Sequence, residues 1–241
     1  MPELPEVETI KRQLEEKLIG KKWQGRKIVN VRRRAKLLLI DFNDSSSLVF
    51  HLKLTGQLLF NGIPGKYTRE VFNFDDGSNL VFNDARKFGW AKHIQNSQEI
   101  EKPFGPEALD ITLPDLKAVF VKKRRTRIKT VLMDQKQIAG IGNIYSDEIL
   151  FAAKVRPDRL AGTINSQESS KILASAKTIL KKAIEKRGSS IEYYLDALGQ
   201  KGDFVSLHKI YHKKQCIKCG GRVERLKIGG RTAHYCPQCQ Q

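Results

Sequence analysis

Four cysteines near the C-terminal end carry the clearest chemistry in the sequence. They form two C-x2-C pairs with sixteen residues between the pairs: Cys216, Cys219, Cys236 and Cys239. This spacing predicts a tetrahedral four-thiolate site for one zinc ion, which is structural because protein ligands fill every coordination position. Two disulfides are the alternative. They are disfavoured because a chain that starts without a secretory signal is expected in the cytoplasm, where thiols stay reduced.

The amino end offers a nucleophile. If the initiator Met1 is removed, Pro2 carries a free secondary amine. An α-amine has a pKa of about 7.7–8.0, so about a tenth of it is neutral at pH 7 and able to attack electrophilic carbon. Glu3 and Glu6 lie close enough in sequence to donate a proton or to hydrogen-bond a substrate. A helix start rich in Pro and Glu is also ordinary, and that alternative stays open.

The charge balance indicates the class of partner. The chain of 241 residues has 44 Lys and Arg against 26 Asp and Glu, a formal net charge of +18. Such an excess favours a polyanion, and nucleic acid leads. An anionic membrane surface is the alternative, but no basic amphipathic helix with Trp or Phe opposite its cationic face is evident. No apolar run approaches the ~20 residues that span a bilayer, so no membrane partner is expected.

Three further segments have residue types suited to nucleic acid. On a helix, the run 122–129 (KKRRTRIK) would present a dense positive face to phosphates. The turn 139–145 (AGIGNIY) enters a helix, where backbone N–H groups bind phosphate oxygens. In the loop 84–90, Phe88 could stack in an opened base stack while Arg86 hydrogen-bonds. The alternatives are a solvated helix face, an interhelical turn and a core phenylalanine.

Periodicity predicts the elements that position these groups. Residues 3–19 have helical spacing, and β-forming runs separated by turn residues occupy 28–94. A Pro- and Gly-containing linker precedes five predicted helices, near 114–122, 127–135, 143–153, 166–187 and 190–198. Three capping boxes are predicted: Thr112 with Asp115, Asn165 with Glu168, and Ser189 with Glu192.

The sequence therefore predicts an α+β fold in three parts. Residues 1–102 form an N-terminal helix with a shortened antiparallel β-sandwich lobe, which would be catalytic. Residues 103–210 form a helical DNA-binding lobe, and 211–241 form the zinc finger.

Six segments occur in an order that resembles the bacterial formamidopyrimidine-DNA glycosylases, a helix-two-turns-helix family that includes endonuclease VIII. They are PELPEVE (2–8), RRAKLLL (33–39), HLKLTGQL (51–58), DARKFG (84–89), GIGNIYSDEILF (140–151) and the finger containing Gly230-Arg231-Thr232. Leu4 before the second Pro favours this branch over endonuclease VIII. The resemblance covers nearly the whole chain and implies that the helical lobe is of the helix-two-turns-helix type.

The resemblance implies a bifunctional DNA glycosylase and AP lyase of base-excision repair. Its partner would be double-stranded DNA containing a damaged base or an abasic site. It would flip out and remove oxidised purines, such as 8-oxoguanine and formamidopyrimidines, and then cut the strand by β,δ-elimination. We expect a monomer in the bacterial cytoplasm, associated with the nucleoid through DNA, with one structural zinc and no redox or nucleotide cofactor.

Roles for individual residues follow from the same resemblance, position by position. Pro2 would attack the sugar C1′ and form a Schiff base, while Glu3 would donate a proton to the sugar. Lys36 would assist β-elimination, and Arg231 is linked to δ-elimination; both would contact phosphate. The remaining DNA-binding residues would be Glu6, Leu54, Tyr67, Arg86, Phe88, Arg125, Lys129 and Asn143.

Within this set, four side chains have particular expectations. Arg86 and Phe88 would fill the void left by the flipped nucleotide. Leu54 replaces the family's usual methionine wedge, an exchange of similar volume. Tyr67 takes the DNA contact usually made by the first His of a His-Asp-His segment.

The chain also departs from the family pattern in length. The interval between Trp23 and Arg33 is shorter than usual, so part of the first strands of the β-lobe is expected to be missing. The approach to Cys216 is shorter as well. The damaged-base loop, near 198–204, does not define which lesion is accepted.

Three other functions stay open at this point. A glycosylase of endonuclease VIII type would prefer oxidised pyrimidines. A non-catalytic lesion-DNA binder would keep the fold and charge without the amine chemistry. A zinc-ribbon protein of transcription or translation would leave residues 2–8 unexplained.

Overall fold

A computed structural model describes residues 1–191 and 193–241. Backbone packing groups them into two compact units. The N-terminal unit comprises residues 1–103 and 183–205, and the C-terminal unit comprises 104–182 and 206–241. This grouping differs from the predicted boundaries, which placed 183–205 in the helical lobe. Residues 183–205 join the N-terminal unit because they hydrogen-bond to its first helix, for example through Ser189 and Asp196.

The N-terminal unit begins with an amphipathic helix, α1 (Leu4–Leu18). Its apolar face, Val7, Ile10, Leu14 and Leu18, is buried in the main hydrophobic core. The opposite face carries charged pairs one turn apart, such as Lys11 with Glu15. The predicted helix over 3–19 is therefore present, because the apolar spacing matches the face that the core covers.

Two antiparallel sheets form the β-lobe. Their strands are β1 (Lys22–Trp23), β2 (Arg26–Arg34), β3 (Leu37–Phe42), β4 (Ser47–His51), β5 (Gly56–Phe60), β6 (Thr68–Asn73), β7 (Asn79–Asp84) and β8 (Trp90–Ile94). One sheet has the order β1-β2-β3-β4-β8 and the other β5-β7-β6. Phe50 of the first sheet meets Phe72 and Phe82 of the second in edge-to-face contacts at 5.3 and 6.0 Å. The inner faces of the sheets thus share one core, which confirms the predicted sandwich.

The short segment between Trp23 and Arg33 forms a hairpin at the edge of the first sheet. Strand β1 has only two residues, and Trp23 pairs directly with Arg26 of β2. Gln24 and Gly25 make the connection with positive φ angles of 51° and 78°. A tight hairpin therefore connects β1 to β2, and Trp23 stacks on Phe42 at 5.5 Å.

The C-terminal unit is largely helical. It contains α3 (Leu113–Lys122), α4 (Ile128–Met133), α5 (Asn143–Ala152) and most of α6 (Ser166–Glu185), whose last three residues are grouped with the other unit. A single turn, α2 (Gln98–Glu101), precedes these helices in the N-terminal unit. Two of the predicted capping boxes are present. Thr112 caps α3 with Asp115, and Asn165 and Glu168 exchange the equivalent bonds before α6. Glu192 of the third lies outside the described residues.

The predicted helices near 114–122 and 127–135 are present as α3 and α4, so the basic run 122–129 lies mostly in the loop between them and does not form one positive helix face. One helical prediction is wrong. No helix forms over the described part of 190–198. There Gly188 has a φ of 83°, and Asp196 accepts hydrogen bonds from the N–H groups of Leu198 and Gln200. These local bonds stabilise a turn instead of a helix.

The last segment is a hairpin beside the four cysteines. Strands β9 (Glu224–Ile228) and β10 (Arg231–Tyr235) pair in register and pack with α5. Phe151 of α5, Ile210, Val223 and Cys236 form a small second core. Within the described ranges, no helix combines the length and the apolar character that crossing a membrane requires.

Candidate active site

The start of α1 holds Pro2 and Glu3 in a buried setting. Glu3 is the N-cap residue, with extended backbone angles, and only 1% of it is exposed. Its N–H donates to Glu6 Oε2 at 2.8 Å, as part of a capping box. Pro2 directly precedes it and is also buried. The candidate amine and the candidate acid are therefore adjacent residues on a fixed helix end.

Glu6 has a different setting from the one predicted. Its Oε1 accepts the N–H of Ser189 at 2.8 Å, while Oε2 accepts the N–H of Glu3. Gly188 leaves room for this carboxylate, since a Cβ there would lie 2.7 Å from Oε1. Both oxygens are committed to backbone donors, so we replace the predicted substrate contact of Glu6 with a role in positioning Glu3.

Lys36 lies in the two-residue turn between β2 and β3, where Arg34 pairs with Leu37. Ala35, the other turn residue, has a φ of 54°. Arg33 supports the turn by donating to the Ala35 carbonyl at 2.9 Å and to Glu8 of α1 at 2.9 Å. Arg33 is not among the predicted site residues, although the repeated Arg in RRAK (33–36) was a usable signal. Arg33 joins the turn that carries Lys36 to the helix that carries Glu3.

His51 is a neutral imidazole close to this turn. Burial lowers its pKa to about 3, and the charges of Lys53 and Lys36 act in the same direction. Its Nδ1 accepts the N–H of Lys53 at 3.0 Å, which requires an unprotonated nitrogen. His51 thus supports the turn before Leu54 without adding a positive charge beside Lys36.

The side chains predicted to enter an opened duplex project from loops of the N-terminal unit. Phe88 and Tyr67 are each 54% exposed, Arg86 is exposed, and Leu54 is partly exposed. The Arg86 guanidinium lies 5.1 Å from the centre of the Phe88 ring, in a cation–π contact. Phe88 is therefore not a core residue, and its exposure suits the predicted stacking on bases.

Two predicted phosphate contacts have accessible positions in the C-terminal unit. Arg125 is exposed in the loop between α3 and α4. Asn143 is the first residue of α5, after the N-cap Gly142, as the glycine-rich turn predicted. Its side-chain Oδ1 is buried and accepts no hydrogen bond among the described residues. A helix start of this kind presents backbone N–H groups to an anion.

Lys129 does not fit the predicted phosphate contact. Its side chain is 0% exposed, and its ammonium pairs with Asp147 at 2.5 Å. The ammonium also donates to Ser146 Oγ at 3.1 Å. The second oxygen of Asp147 accepts from both the N–H and the ring nitrogen of His234 on β10. Lys129 therefore belongs to a buried network that joins α4, α5 and the finger hairpin.

The four cysteines meet at one point. Their Sγ atoms all lie within 4.8 Å of one another, with Cys216 to Cys239 at 3.9 Å and Cys219 to Cys236 at 3.5 Å. A zinc–sulfur bond of about 2.3 Å in a tetrahedron separates sulfurs by about 3.8 Å. The donor set and its spacing fit one structural zinc ion, and the cofactor prediction is confirmed.

Glu148 fixes the chain on its approach to the finger. Its carboxylate accepts the N–H groups of Lys209, Ile210 and Tyr211 at 2.9–3.1 Å. Burial raises the pKa of Glu148 despite these bonds. Arg231, the other residue predicted to aid elimination, is exposed at the tip of the hairpin, just after Gly229 and Gly230. Both glycines have positive φ angles, of 55° and 74°, as the tight tip requires.

A β-sandwich that begins with a buried Pro-Glu helix start, a helical lobe and a four-cysteine finger together define a DNA glycosylase. Three family descriptions match successive parts of the chain. Residues 21–91 match the formamidopyrimidine-DNA glycosylase N-terminal domain, 104–194 the H2TH domain of the same enzymes, and 213–241 the zinc finger found in FPG and IleRS. The chain belongs to the formamidopyrimidine-DNA glycosylase family, so the resemblance seen in the sequence is confirmed.

Named relatives and solved structures agree over the full length. The chain is 40% identical to the formamidopyrimidine-DNA glycosylase of Carboxydothermus hydrogenoformans and 38% identical to that of Streptococcus mutans, with all of each chain covered. The crystal structure of the Thermus thermophilus Fpg (MutM) protein superposes with a TM-score of 0.92 at 33% identity, covering 99% of this chain and 98% of that one. A Lactococcus lactis Fpg complexed with abasic-site DNA gives 0.91 at 30% identity, with 99% of each chain covered.

Proposed function

We propose that this protein removes oxidised purines from double-stranded DNA and then cuts the strand as an AP lyase. The observation that carries the proposal is the helix start of α1, where Pro2 directly precedes a Glu3 that is 1% exposed and held by Glu6. The amine can attack the sugar carbon, and the carboxyl group on the adjacent residue can donate a proton to the sugar.

Base release uses both of these groups. The neutral Pro2 nitrogen forms a bond to C1′ while the bond from C1′ to the damaged base breaks, and the base leaves with the bonding electrons. The nitrogen, now a positively charged ammonium, gives its N–H proton to the departing base, which restores the nitrogen lone pair. Glu3 gives its proton to the sugar ring oxygen, the ring opens, and the nitrogen lone pair completes a C=N⁺ bond. The damaged nucleotide must first turn out of the duplex to expose C1′, and the loss of its stacking and pairing costs a few kcal/mol.

Strand cleavage follows from the positive charge of the iminium. That charge acidifies the C2′ hydrogens, so a base can remove one while the 3′ phosphate leaves in β-elimination. Lys36 lies in the turn that Arg33 supports, in the same unit as Pro2, and would pair with the departing phosphate. We keep for Arg231 a phosphate contact during the subsequent δ-elimination, which its exposed position at the hairpin tip permits.

Contacts outside the chemistry would hold the duplex open. Leu54, Arg86 and Phe88 would occupy the gap in the stack, and Tyr67 would contact the backbone beside it. Arg125 and Asn143 would bind phosphates, supported by the net charge of +18. The enzyme would act in the cytoplasm, on the nucleoid, where thiols stay reduced and the four cysteines can bind zinc.

The test is trapping of the iminium with borohydride. The protein, purified and checked by intact mass for loss of Met1, is incubated with duplexes containing 8-oxoguanine, a formamidopyrimidine, an oxidised pyrimidine or an abasic site. We expect a covalent adduct with the oxidised purines and the abasic site. Pro2→Gly should abolish trapping on every substrate, and Glu3→Gln should abolish it on intact lesions. Glu16→Gln, an exposed change on the same helix, is the matched control.

Each alternative function gives a distinct result. Preferential trapping on the oxidised pyrimidine would indicate specificity of endonuclease VIII type. Lesion binding without any adduct, or full activity in protein that retains Met1, would overturn the amine mechanism and indicate a non-catalytic binder or a different nucleophile.

A further inference from the structure

The side chains proposed to enter the opened duplex come from three separate loops. Leu54 follows β4, Tyr67 precedes β6, and Arg86 and Phe88 follow β7. Side chains on separate loops can fill one gap between bases only if the loops keep a fixed register. In the N-terminal unit, the cross-strand pair Gly56 with Asp84 joins the loops of Leu54 and Arg86, and the adjacent pair Thr68 with Asn83 brings the Tyr67 loop to the same strand.

The carboxylate of Asp84 lies at the centre of this arrangement. Asp84 is 1% exposed, and Thr55, which follows Leu54, is 4% exposed. Asp84 Oδ1 accepts the hydroxyl of Thr55 and, at 3.2 Å, the N–H of Arg86. Its Oδ2 accepts the N–H of Gly89 at 2.6 Å. A single buried carboxylate thus fixes the loop of Arg86 and Phe88 at both ends.

The same two residues reach the other two loops. The hydroxyl of Thr55 accepts the Arg86 N–H at 3.0 Å, so this donor is shared between Thr55 and Asp84. The N–H of Asp84 donates to the carbonyl of Tyr67 at 2.9 Å. Thr55 and Asp84 therefore contact all three loops. Leu54 is the neighbour of Thr55 in the chain, and the Tyr67 carbonyl and the Arg86 N–H hydrogen-bond to the pair directly.

Close packing leaves these loops little freedom to shift. A Cβ on Gly56 would lie 2.4 Å from the carbonyl oxygen of Leu52, whose acceptance of the Gly56 N–H at 2.9 Å closes the turn around Leu54. A Cβ on Gly89 would lie 2.9 Å from the Phe82 ring and 3.0 Å from Asp84 Oδ2. Gly56 thus lets its backbone approach that of Leu52, and Gly89 lets its backbone approach the Asp84 carboxylate.

We propose that Thr55 and Asp84 are positioning residues for recognition of the base opposite the lesion. The proposal rests on the proposed function. A guanidinium distinguishes bases by the direction of its hydrogen bonds to base edges, so discrimination depends on where the backbone of Arg86 is held. Thr55 and Asp84 touch no DNA themselves; they set the register in which Arg86, Phe88, Leu54 and Tyr67 act.

The experiment compares Thr55→Val, which keeps the shape but removes the hydroxyl, with Thr55→Ser, which keeps the hydroxyl. Excision is measured on duplexes with 8-oxoguanine opposite each of the four bases. Cleavage of a single-stranded abasic oligonucleotide reports the amine chemistry without any opposing base. Thr55→Val should slow duplex excision about tenfold opposite the preferred base, the loss expected for one buried hydrogen bond, and should level the rates among the four bases. Thr55→Ser should keep both the excision rate and the preference among opposing bases close to those of the wild type.

A second variant disturbs the Asp84 carboxylate from the other end of the loop. Gly89→Ala presses on Asp84 Oδ2 and leaves the Thr55 hydroxyl in place, so it should level the rates among opposing bases in the same way. Phe88→Ala, which removes the stacking side chain itself, gives the reference for a lost gap contact. Melting temperatures are recorded for every variant.

The outcomes separate this proposal from the proposed function. If wild-type protein traps no lesion, the proposed function fails. If wild-type protein is active and Thr55→Val keeps the full preference among opposing bases, the positioning role is overturned. A Thr55→Val variant that loses single-strand cleavage in the same proportion as duplex excision also overturns it, because the effect would then be a general loss of stability.

Discussion

The carboxylate of Glu6 accepts the backbone N–H of Ser189 at 2.8 Å, across 183 residues of sequence. Its other oxygen accepts the N–H of Glu3 at 2.8 Å. An ionised carboxylate only accepts hydrogen bonds, so one side chain satisfies a donor at the helix end and a donor in a distant turn. The first turn of α1, which carries the candidate nucleophile and acid, is thereby fixed to residues 188–189.

Glu6→Gln should lower the free energy of unfolding by about 1–3 kcal/mol, because its amide nitrogen would face one of the two N–H donors. Urea denaturation measures this loss. Base excision should slow through kcat, with KM little changed, since the altered group acts on Glu3. In the control Glu15→Gln, a half-buried pair with Lys11 one helical turn away is lost, which should cost less than about 0.5 kcal/mol. Equal stability of the two variants would contradict the positioning role of Glu6.

Gly188→Ala tests the same contact from the other side. Gly188 has a φ of 83°, and a Cβ there would meet Glu6 Oε1 at 2.7 Å. Gly77→Ala is the matched control, because Gly77 has a φ of 84° with nothing within 4 Å of a Cβ. Both variants incur the cost of a left-handed alanine, about 1 kcal/mol. Thermal unfolding should show a clearly larger loss for Gly188→Ala, and matching losses would indicate that backbone strain alone matters.

Lys129 and Arg125 should respond differently to salt. Arg125→Ala removes an exposed cation, so the slope of log K for DNA against log salt should fall by about 1. Lys129→Met removes the ammonium partner of the charged, buried Asp147 and leaves it only the bonds from His234, which should destabilise the protein by about 3–5 kcal/mol. Its salt slope, measured by fluorescence anisotropy at a temperature where the variant is folded, should equal that of the wild type. A reduced salt slope for Lys129→Met would instead support the predicted phosphate contact of Lys129, against the evidence of its burial.

His51 should make stability depend on pH below neutrality. Its folded pKa of about 3 lies below the ordinary value of about 6.5, so between these values the unfolded chain binds a proton that the folded chain does not. The contribution is complete above about pH 6.5 and is lost as the pH falls toward 3, by up to about 1.4 kcal/mol per pH unit. His51→Asn keeps an acceptor for Lys53 and does not titrate. Urea denaturation measures the free energy of unfolding at pH 7 and at pH 5. The decrease between these two pH values should be about 2 kcal/mol smaller in this variant than in the wild type.

Removal of zinc should loosen the finger and leave the N-terminal unit folded. Cys236 is 0% exposed and lies in the small core with Phe151, Ile210 and Val223. Cys236→Ser, or a chelator, should abolish stoichiometric zinc and weaken DNA binding at least tenfold, because ligation supplies much of the folding energy of such modules. Ile217→Ala, between two ligands but 61% exposed, should keep both properties. Zinc content is measured by atomic absorption, and unchanged content in Cys236→Ser would exclude it as a ligand.

Several features could be predicted from sequence because their causes are local. The cysteine spacing specifies a four-thiolate site, and the apolar spacing of α1 specifies its buried face. Thr112 and Asp115 specify a helix start within four residues, and the turn before Asn143 specifies the beginning of α5. In each case the interacting groups are near neighbours in sequence, so residue type and spacing contain the relevant physics.

Only the tertiary structure decided which polar groups face one another over long separations. Glu6 and Lys129 have the residue types of a substrate contact and a phosphate contact, yet each is buried against a partner that no local pattern indicates: Ser189 and Asp147. The segment after Gly188 has helical spacing but forms turns, because Asp196 and its distant partners provide competing hydrogen bonds. Chain order and spacing determined the family and its zinc site. The tasks of individual charged side chains depended on burial, since a charge removed from water binds whichever donor or acceptor the folded chain brings to it.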